Sequence, residues 1–351
     1  MADLSKGIGI SKDQLSADGE PCILYGELYT KYKSETIKEV ISKTNIDNTK
    51  LVKSKANDVI IPCSGETAEE IATARCVLKD DILLGGDLNI IRLHGYDGSF
   101  MSYQLNGKRK YDIAKVAQGV SVVHLYGEHL KNIKTINPGL KEQKKIANLL
   151  SLLDVRISTQ NKIIEKLETL IKGIRARLTQ QVGGDFVYLS EIAQIYQPQT
   201  ISLSELTKEG YLVYGANGVI GKYREYNHQT EQICITCRGN TCGVVNYTQP
   251  KSWITGNAMV INTDDFKEKV FKRYLYHYLS AYNFNRIISG SGQPQIVRSP
   301  LEKLRIALPT MQQQINIAKT LDKFQEKIDA NAYTLKLYLW QKEYLLQQMF
   351  I

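Results

Sequence analysis

Apolar residues along this chain follow two different periods. Between Asn137 and Gly184 they recur in alternating steps of four and three: Ile146, Leu150, Leu153, Ile157, then Gln160, then Ile164, Leu167, Ile171, Ile174 and Leu178. That spacing is a coiled-coil seam with one polar interruption. Asn137-Pro138-Gly139 stops any helix arriving from upstream and Gly183-Gly184 lets the chain turn away, so a single long helix is expected between them. The pattern returns as Ile317, Leu321, Phe324, Ile328, Asn331, Leu335, Tyr338, Lys342, Leu345 and Met349, with Asn331 in the place of Gln160. Such a polar pair either fixes the register of two helices or points to solvent near a crossing. A helix of about 40 residues spans on the order of 60 Å, the length of a spacer.

The second period belongs to the segments between the helices, 2–137 and 185–308, where short apolar runs alternate with turn residues and predict β-rich domains with short helices. The two halves correspond. At an offset of 171 residues Leu130, Pro138, Gln143, Ile146, Ala147, Leu150 and Ile157 return as Leu301, Pro309, Gln314, Ile317, Ala318, Leu321 and Ile328. More loosely, Ile23–Gly26 matches Leu212–Gly215, Asp58–Gly65 matches Gln232–Gly239, and Gly85–Ile91 matches Thr255–Ile261. The strands agree while the loops differ. The expected organisation is a β-rich domain at 1–137, a spacer helix at 138–184, a second β-rich domain at 185–308 and a second spacer helix at 309–351. One segment is uneven: Leu189–Gln197 has only a shortened counterpart in Ala2–Lys6, with Ala193 matching Ala2 and Ile195 matching Leu4. The first domain is therefore expected to lack its opening strand, as a truncated, recombined or late-starting chain would.

Composition narrows the classes. A hydrophobic fraction of 43% with 23% charged residues suits a globular protein, and no apolar run reaches the roughly 18 residues that cross a bilayer, so no membrane partner and a cytoplasmic location are expected. Six scattered cysteines agree with free thiols in a reducing compartment. Cys234, Cys237 and Cys242 supply three sulfurs rather than four, with His228 the only nearby fourth ligand, and read better as buried strand residues than as a zinc site. The net charge of +9 favours an anionic partner, but it is unevenly spread. Residues 139–182 hold nine basic and four acidic side chains, a net of +5, and residues 310–351 hold five and four, a net of +1.

The duplicated order of strand, Pro-x-x-x-x-Gln helix start (Pro138 to Gln143, Pro309 to Gln314), Ile-Ala pair (Ile146-Ala147, Ile317-Ala318) and the Leu189–Ala193 domain opening resembles the specificity subunit of type I restriction-modification systems over essentially the whole chain. The resemblance implies an α+β fold: two pseudo-symmetric β-rich target recognition domains separated by two long antiparallel coiled-coil helices. It further implies a non-catalytic reader of a bipartite, asymmetric site in double-stranded DNA. Two adenine methyltransferase subunits and motor-nuclease subunits are the implied partners. S-adenosylmethionine, magnesium and ATP are then expected on those subunits only, with no cofactor or metal on this chain. Gln143, Ile146, Leu150, Gln160, Gln314, Ile317, Leu321 and Asn331 become the spacer and subunit-interface candidates. A coiled-coil assembly adaptor derived from a truncated or recombined subunit is the alternative.

Reacting groups are hard to find. None of the eight prolines adjoins another, so the Pro-Pro turn of an adenine methyltransferase is missing. Gly215–Tyr223 echoes a phosphate loop, but its glycine spacing is one residue too long and Tyr223 stands where a metal-binding Ser or Thr is needed. Glu142-Gln143-Lys144 has nuclease spacing without a second carboxylate on a strand, and five dispersed histidines offer no nucleophile-base pair.

Recognition chemistry remains, and it requires amide and basic side chains on loops that reach base edges. In the second domain the candidates are Asn217, Lys222 and Tyr223 on one loop, Arg238, Asn240 and Thr241 on another, and Ser291, Gln293 and Gln295 on a third. In the first they are Tyr25 and Glu27, Ser64 and Thr67, and the run Lys108, Arg109 and Lys110, whose charges suit phosphates better than bases.

Overall fold

The structure, a computed structural model, describes residues 2–47, 49–119, 122–181, 183–290 and 292–350. Candidate Ser291 lies outside the described residues, as does the side chain of Leu178 on the helical seam. The chain forms two compact units: one comprises 1–162 with 332–351, the other 163–331. Both long helices, Leu140–Gln181 and Met311–Gln348, thus contribute a stretch to each unit.

In the first unit a five-stranded sheet runs in the order Ala2–Lys6, Leu88–Leu93, Asp58–Pro62, Arg75–Val77, Thr36–Ile37. In the second, a four-stranded sheet runs Gln194–Tyr196, Ala258–Asn262, Ile233–Thr236, Val245–Tyr247. The registers coincide. Leu4 pairs with Ile91 and Ile91 with Val59, while Ile195 pairs with Ile261 and Ile261 with Ile233. Each unit also has another sheet holding one parallel pair, Cys22 with Leu83 in the first and Val213 with Trp253 in the second. A one-residue slip would turn every buried side chain to the opposite face, so the apolar pattern of these strands leaves little choice of register.

Ala2–Lys6 is a five-residue ladder strand, against three residues in Gln194–Tyr196. The segment without a counterpart among the described residues of the first unit is Asp185–Tyr188, which pairs with Arg305–Leu308 in the second. The first unit satisfies the equivalent backbone by another means: the amide of Gln104 donates to the carbonyl of Ile136 and accepts from its N–H, both at 2.7 Å.

The Pro-x-x-x-x-Gln motif has a shared physical role. Gln143 and Gln314 are 1% and 2% exposed. Each carboxamide donates to the carbonyl of its own proline, Pro138 at 2.7 Å and Pro309 at 3.0 Å, and accepts the N–H of a residue opening a short helix, Asp97 at 2.9 Å and Phe271 at 2.8 Å. Gln314 also donates to the Lys269 carbonyl at 3.2 Å, so two side chains satisfy the N–H groups that open two short helices and three loop carbonyls. Asp97 also caps the Gly98–Asn106 helix by accepting from Phe100 N–H at 2.8 Å; the corresponding helix of the second unit is Lys272–Ala281.

Within each unit the two long helices run antiparallel. In the first, Ile146, Ala147 and Leu150 pack with Leu345, Leu346, Met349 and Phe350 around Phe100 and Tyr103, and Arg156 lies over Tyr338 further along. In the second, Ile164, Leu167, Ile171 and Ile174 pack with Ile317, Leu321, Phe324 and Ile328. The heptad residues therefore form the seam their spacing predicts. Among the described residues, no helix is long and apolar enough to cross a membrane.

Candidate nucleic-acid interface

Three loops of the second unit converge at the end of the strand Ile233–Thr236. The hairpin Tyr211–Gly215/Gly218–Tyr223 turns through Ala216 and Asn217, and the hydroxyl of Thr236 donates to the Ala216 carbonyl. Gly218, with φ +96°, permits that tight return. Beyond Thr236 the chain makes a turn in which Cys242 N–H bonds the Gly239 carbonyl and Thr236 bonds Val244. The third loop is closed on itself by Ser289 N–H to Gln295 carbonyl at 2.9 Å and Gln295 N–H to Ser289 carbonyl at 2.8 Å. It is joined to the second by Gly239 N–H on the Pro294 carbonyl at 3.0 Å and by a bridge between Arg238 and Gln295.

The consequence is a set of exposed polar side chains on tethered loops. Arg238, Asn240, Gln293 and Gln295 stand on adjoining turns, with Asn217 at the neighbouring hairpin tip and Lys222 exposed along its second strand. Thr241 is half-buried within the turn. Tyr223 is held edge-on to Trp253 at 5.1 Å between centroids, with the Arg224 guanidinium 5.8 Å from its own centroid. Backbone tethers matter because a mobile loop loses conformational entropy on binding, whereas a closed one presents its donors in place. The segment that echoes a phosphate loop is this hairpin rather than a turn leading into a helix.

The first-unit candidates do not gather in this way. Glu27 is buried, its carboxylate accepting from Leu24 N–H at 3.1 Å, from Ser42 and from Lys31 at 2.5 Å, so it organises its own turn. Tyr25 packs against the core nearby. Ser64 is buried in a strand paired with His124, and Thr67 caps the short helix Ala68–Ile71 by accepting from Glu70 N–H at 3.2 Å. Lys108 is exposed, Arg109 reaches Asp112 at 3.4 Å, and the Lys110 ammonium is held below its ordinary pKa by burial and the nearby Arg75.

The cysteine cluster is divided by strand geometry. Residues three apart on a strand face opposite sides, and Cys234 and Cys237 pack in different apolar clusters. Burial pushes the Cys234 thiol up to about 12. His228 is engaged with the Tyr196 hydroxyl at 2.9 Å and with Asn227, and burial lowers it to about 4.

Of the helical candidates, Gln143 and Gln314 are the buried clamps described above, and Ile146, Leu150, Ile317 and Leu321 are seam residues. Gln160 and Asn331 are half-buried, and Asn331 donates to the Lys327 carbonyl of its own helix at 2.5 Å. Two polar clusters lay outside the sequence-based candidates, the first nearly buried and the second half-buried around a buried histidine. One joins Glu35, Tyr103, Asp154 and Lys342; the other joins Arg175, Arg273, His277 and Asp322. Their only trace in the pattern is Lys342, a cation at a seam position where the first helix has Ile171.

Residues 2–169 and 182–337 each match the type I restriction modification DNA specificity domain. The chain is 31% identical over 149 residues to the type I restriction enzyme EcoprrI specificity subunit of Escherichia coli, 41% of this chain but only 36% of that relative. With the MjaVIII specificity subunit of Methanocaldococcus jannaschii it shares 24% identity over 377 residues, 94% of this chain and 86% of the relative. In fold it resembles the crystal structure of the type I restriction-modification S subunit from M. genitalium, with a TM-score of 0.71, 18% identity, and coverage of 100% of this chain and 94% of that one.

Proposed function

The chain belongs to the type I restriction modification DNA specificity family, and from that premise we propose that its two β-rich domains, at 1–137 and 185–308, each read one half of a bipartite, asymmetric site in double-stranded DNA. The observation that carries this reading is the shared ladder register of the two sheets bearing unlike loops: one scaffold, two reading surfaces. In the second unit Arg238, Asn240, Gln293 and Gln295 supply base-edge chemistry, since arginine suits guanine and carboxamides suit adenine. Asn217, Lys222, Tyr223 and Thr241 flank them, and Ser291 belongs to the same loop by sequence.

The long helices, 138–184 and 309–351, act in this reading as the ruler that fixes the gap between half-sites and as the seat for two methyltransferase subunits, with motor-nuclease subunits added for cleavage. Exposed Leu149, Leu152 and Val155 on the first helix and Tyr333, Leu337, Trp340 and Tyr344 on the second support a helical docking surface, because apolar side chains at these spacings lie on common faces. Methyl transfer and cleavage reside on the partners, which also carry S-adenosylmethionine, magnesium and ATP. The assembly-adaptor alternative draws support from the first unit, where Glu66 stands in the turn corresponding to Arg238–Asn240 and Glu69 and Glu70 open the helix that follows it.

The test is co-expression with the cognate methyltransferase subunit and mapping of methylated adenines by single-molecule sequencing. A split motif with one fixed gap is the expected result. An unsplit motif, or methylation by the chain without its partner, would overturn the reading.

A further inference from the structure

An apolar helical seam is tolerant of sliding, since one leucine replaces another at each turn; buried polar groups are not. Each unit holds such a group where its short helix meets both long helices. In the first, the ammonium of Lys342 on the second long helix lies 2.5 Å from Glu35 and 2.6 Å from Asp154 on the first. Asp154 also accepts from the hydroxyls of Tyr103 and Ser34, each at 2.7 Å. In the second unit, Arg175 on the first long helix reaches His277 Nδ1 at 3.0 Å, and His277 Nε2 meets Asp322 on the second long helix at 2.8 Å. Asp322 is held from its other side by Arg273.

The two clusters form at the same position of the short helix. Tyr103 follows by six residues the Asp97 whose N–H is held by Gln143, and His277 follows by six the Phe271 whose N–H is held by Gln314. In each unit the short helix presents a polar ring, the long helix beginning in that unit supplies the aspartate, and the returning long helix supplies the cation. The chemistry differs, so what the halves share is the arrangement.

We infer that these clusters are a pair of polar locks fixing the axial register of the long helices in each unit, with Lys342 and Arg175 as the positioning residues, and that they thereby hold the gap between half-sites to one value. The inference rests on the bipartite reading proposed above. Displacing either helix by one turn, about 5.4 Å, carries the cation beyond reach of its partners and strands a charge that is nearly buried in the first unit and half-buried in the second. Without the locks the apolar seams would tolerate that step, which corresponds to one or two base pairs at about 3.4 Å each.

The experiment compares the full chain with its Lys342→Met and Arg175→Met variants by hydrogen–deuterium exchange, and then maps adenine methylation with the cognate methyltransferase subunit. Lys342→Met is expected to speed exchange roughly tenfold or more in 338–348 while leaving 272–281 unchanged, and Arg175→Met to do the converse. Both variants are expected to keep the half-site sequences but methylate at gaps longer or shorter by one or two base pairs. Unchanged exchange in both variants overturns the locks. Faster exchange with the gap still single overturns their role in setting it. A parent chain that yields no split motif sinks the bipartite reading and the gap role with it, while exchange alone still decides whether the clusters hold the helices. Should one variant fail to fold, the other carries the test.

Discussion

The two units share the register of a strand ladder and differ in what they hang on its end. After Ile233–Thr236 the second unit exposes Arg238 and Asn240 on a turn bonded to a neighbouring loop. After the matching Asp58–Pro62 the first unit places Ser64 in a further strand and uses Thr67 to cap a helix whose opening turn holds Glu69 and Glu70. The carboxylates favour that position because they face the positive end of the helix. Net charge does not separate the units: the first holds 25 basic and 21 acidic residues, a net of +4, and the second 20 and 15, a net of +5. Placement does. Thr67, aligned with the loop residue Thr241, becomes a capping residue because the chain behind it turns into a helix, so correspondence of strands does not transfer to the loops they carry.

The largest expected contrast is in acid. His228 and His277 are buried in the second unit and lowered to about 4, chiefly by burial, with Lys272 adding to the effect at the first and Arg175 at the second. Their unfolded forms take up protons below about pH 6.5 and the folded forms do so only near 4, so stability falls across that window as pH drops, by no more than about 3 kcal/mol for each. Glu35 in the first unit works in the opposite sense, its carboxyl pushed up by burial, so its contribution is lost as pH rises. Hydrogen exchange followed from pH 6.5 to 4 should show the second unit opening before the first; simultaneous loss of protection would erase the contrast.

The clamps should show where the units are alike. Gln143→Ala removes the partner of two part-buried backbone groups and Gln314→Ala that of three, and a loss of roughly 2 to 3 kcal/mol is expected from either. Denaturant unfolding that found one costly and the other neutral would mean the motif serves only one half.

Arg238→Ala and Gln293→Ala test the second-unit face directly. Each should relax preference at particular positions of one half-site by roughly 1 to 3 kcal/mol while leaving the other half-site intact. Uniform weakening on every sequence would assign these side chains to phosphates instead. The smallest effect is expected from Thr67→Ala, at about 1 kcal/mol of stability from the lost cap. If that change altered the motif rather than the melting point, the first-unit turn would be a reading surface after all.

Much of this protein was legible in its residue order. The helical seams, the glutamine starts and the alternating strands are properties of near neighbours, and burial of one face compels them wherever the period is regular. Leu4 could be matched with Ile195 because each sits at the same step of an apolar ladder. Other features joined residues far apart in the chain, and no local pattern announces such a meeting. Glu35, Asp154 and Lys342 come together only when two helices and a sheet are packed, and Lys342 alone disturbs a periodicity. Glu27 looks like a loop carboxylate until Ser42 and Lys31 close over it. Arg238 and Gln295 become neighbours through two backbone tethers between separate loops. Sequence determined the periods, since local burial enforces them; tertiary structure decided which polar groups met, since a buried charge or amide is set by the partner that satisfies it and that partner is remote in the chain.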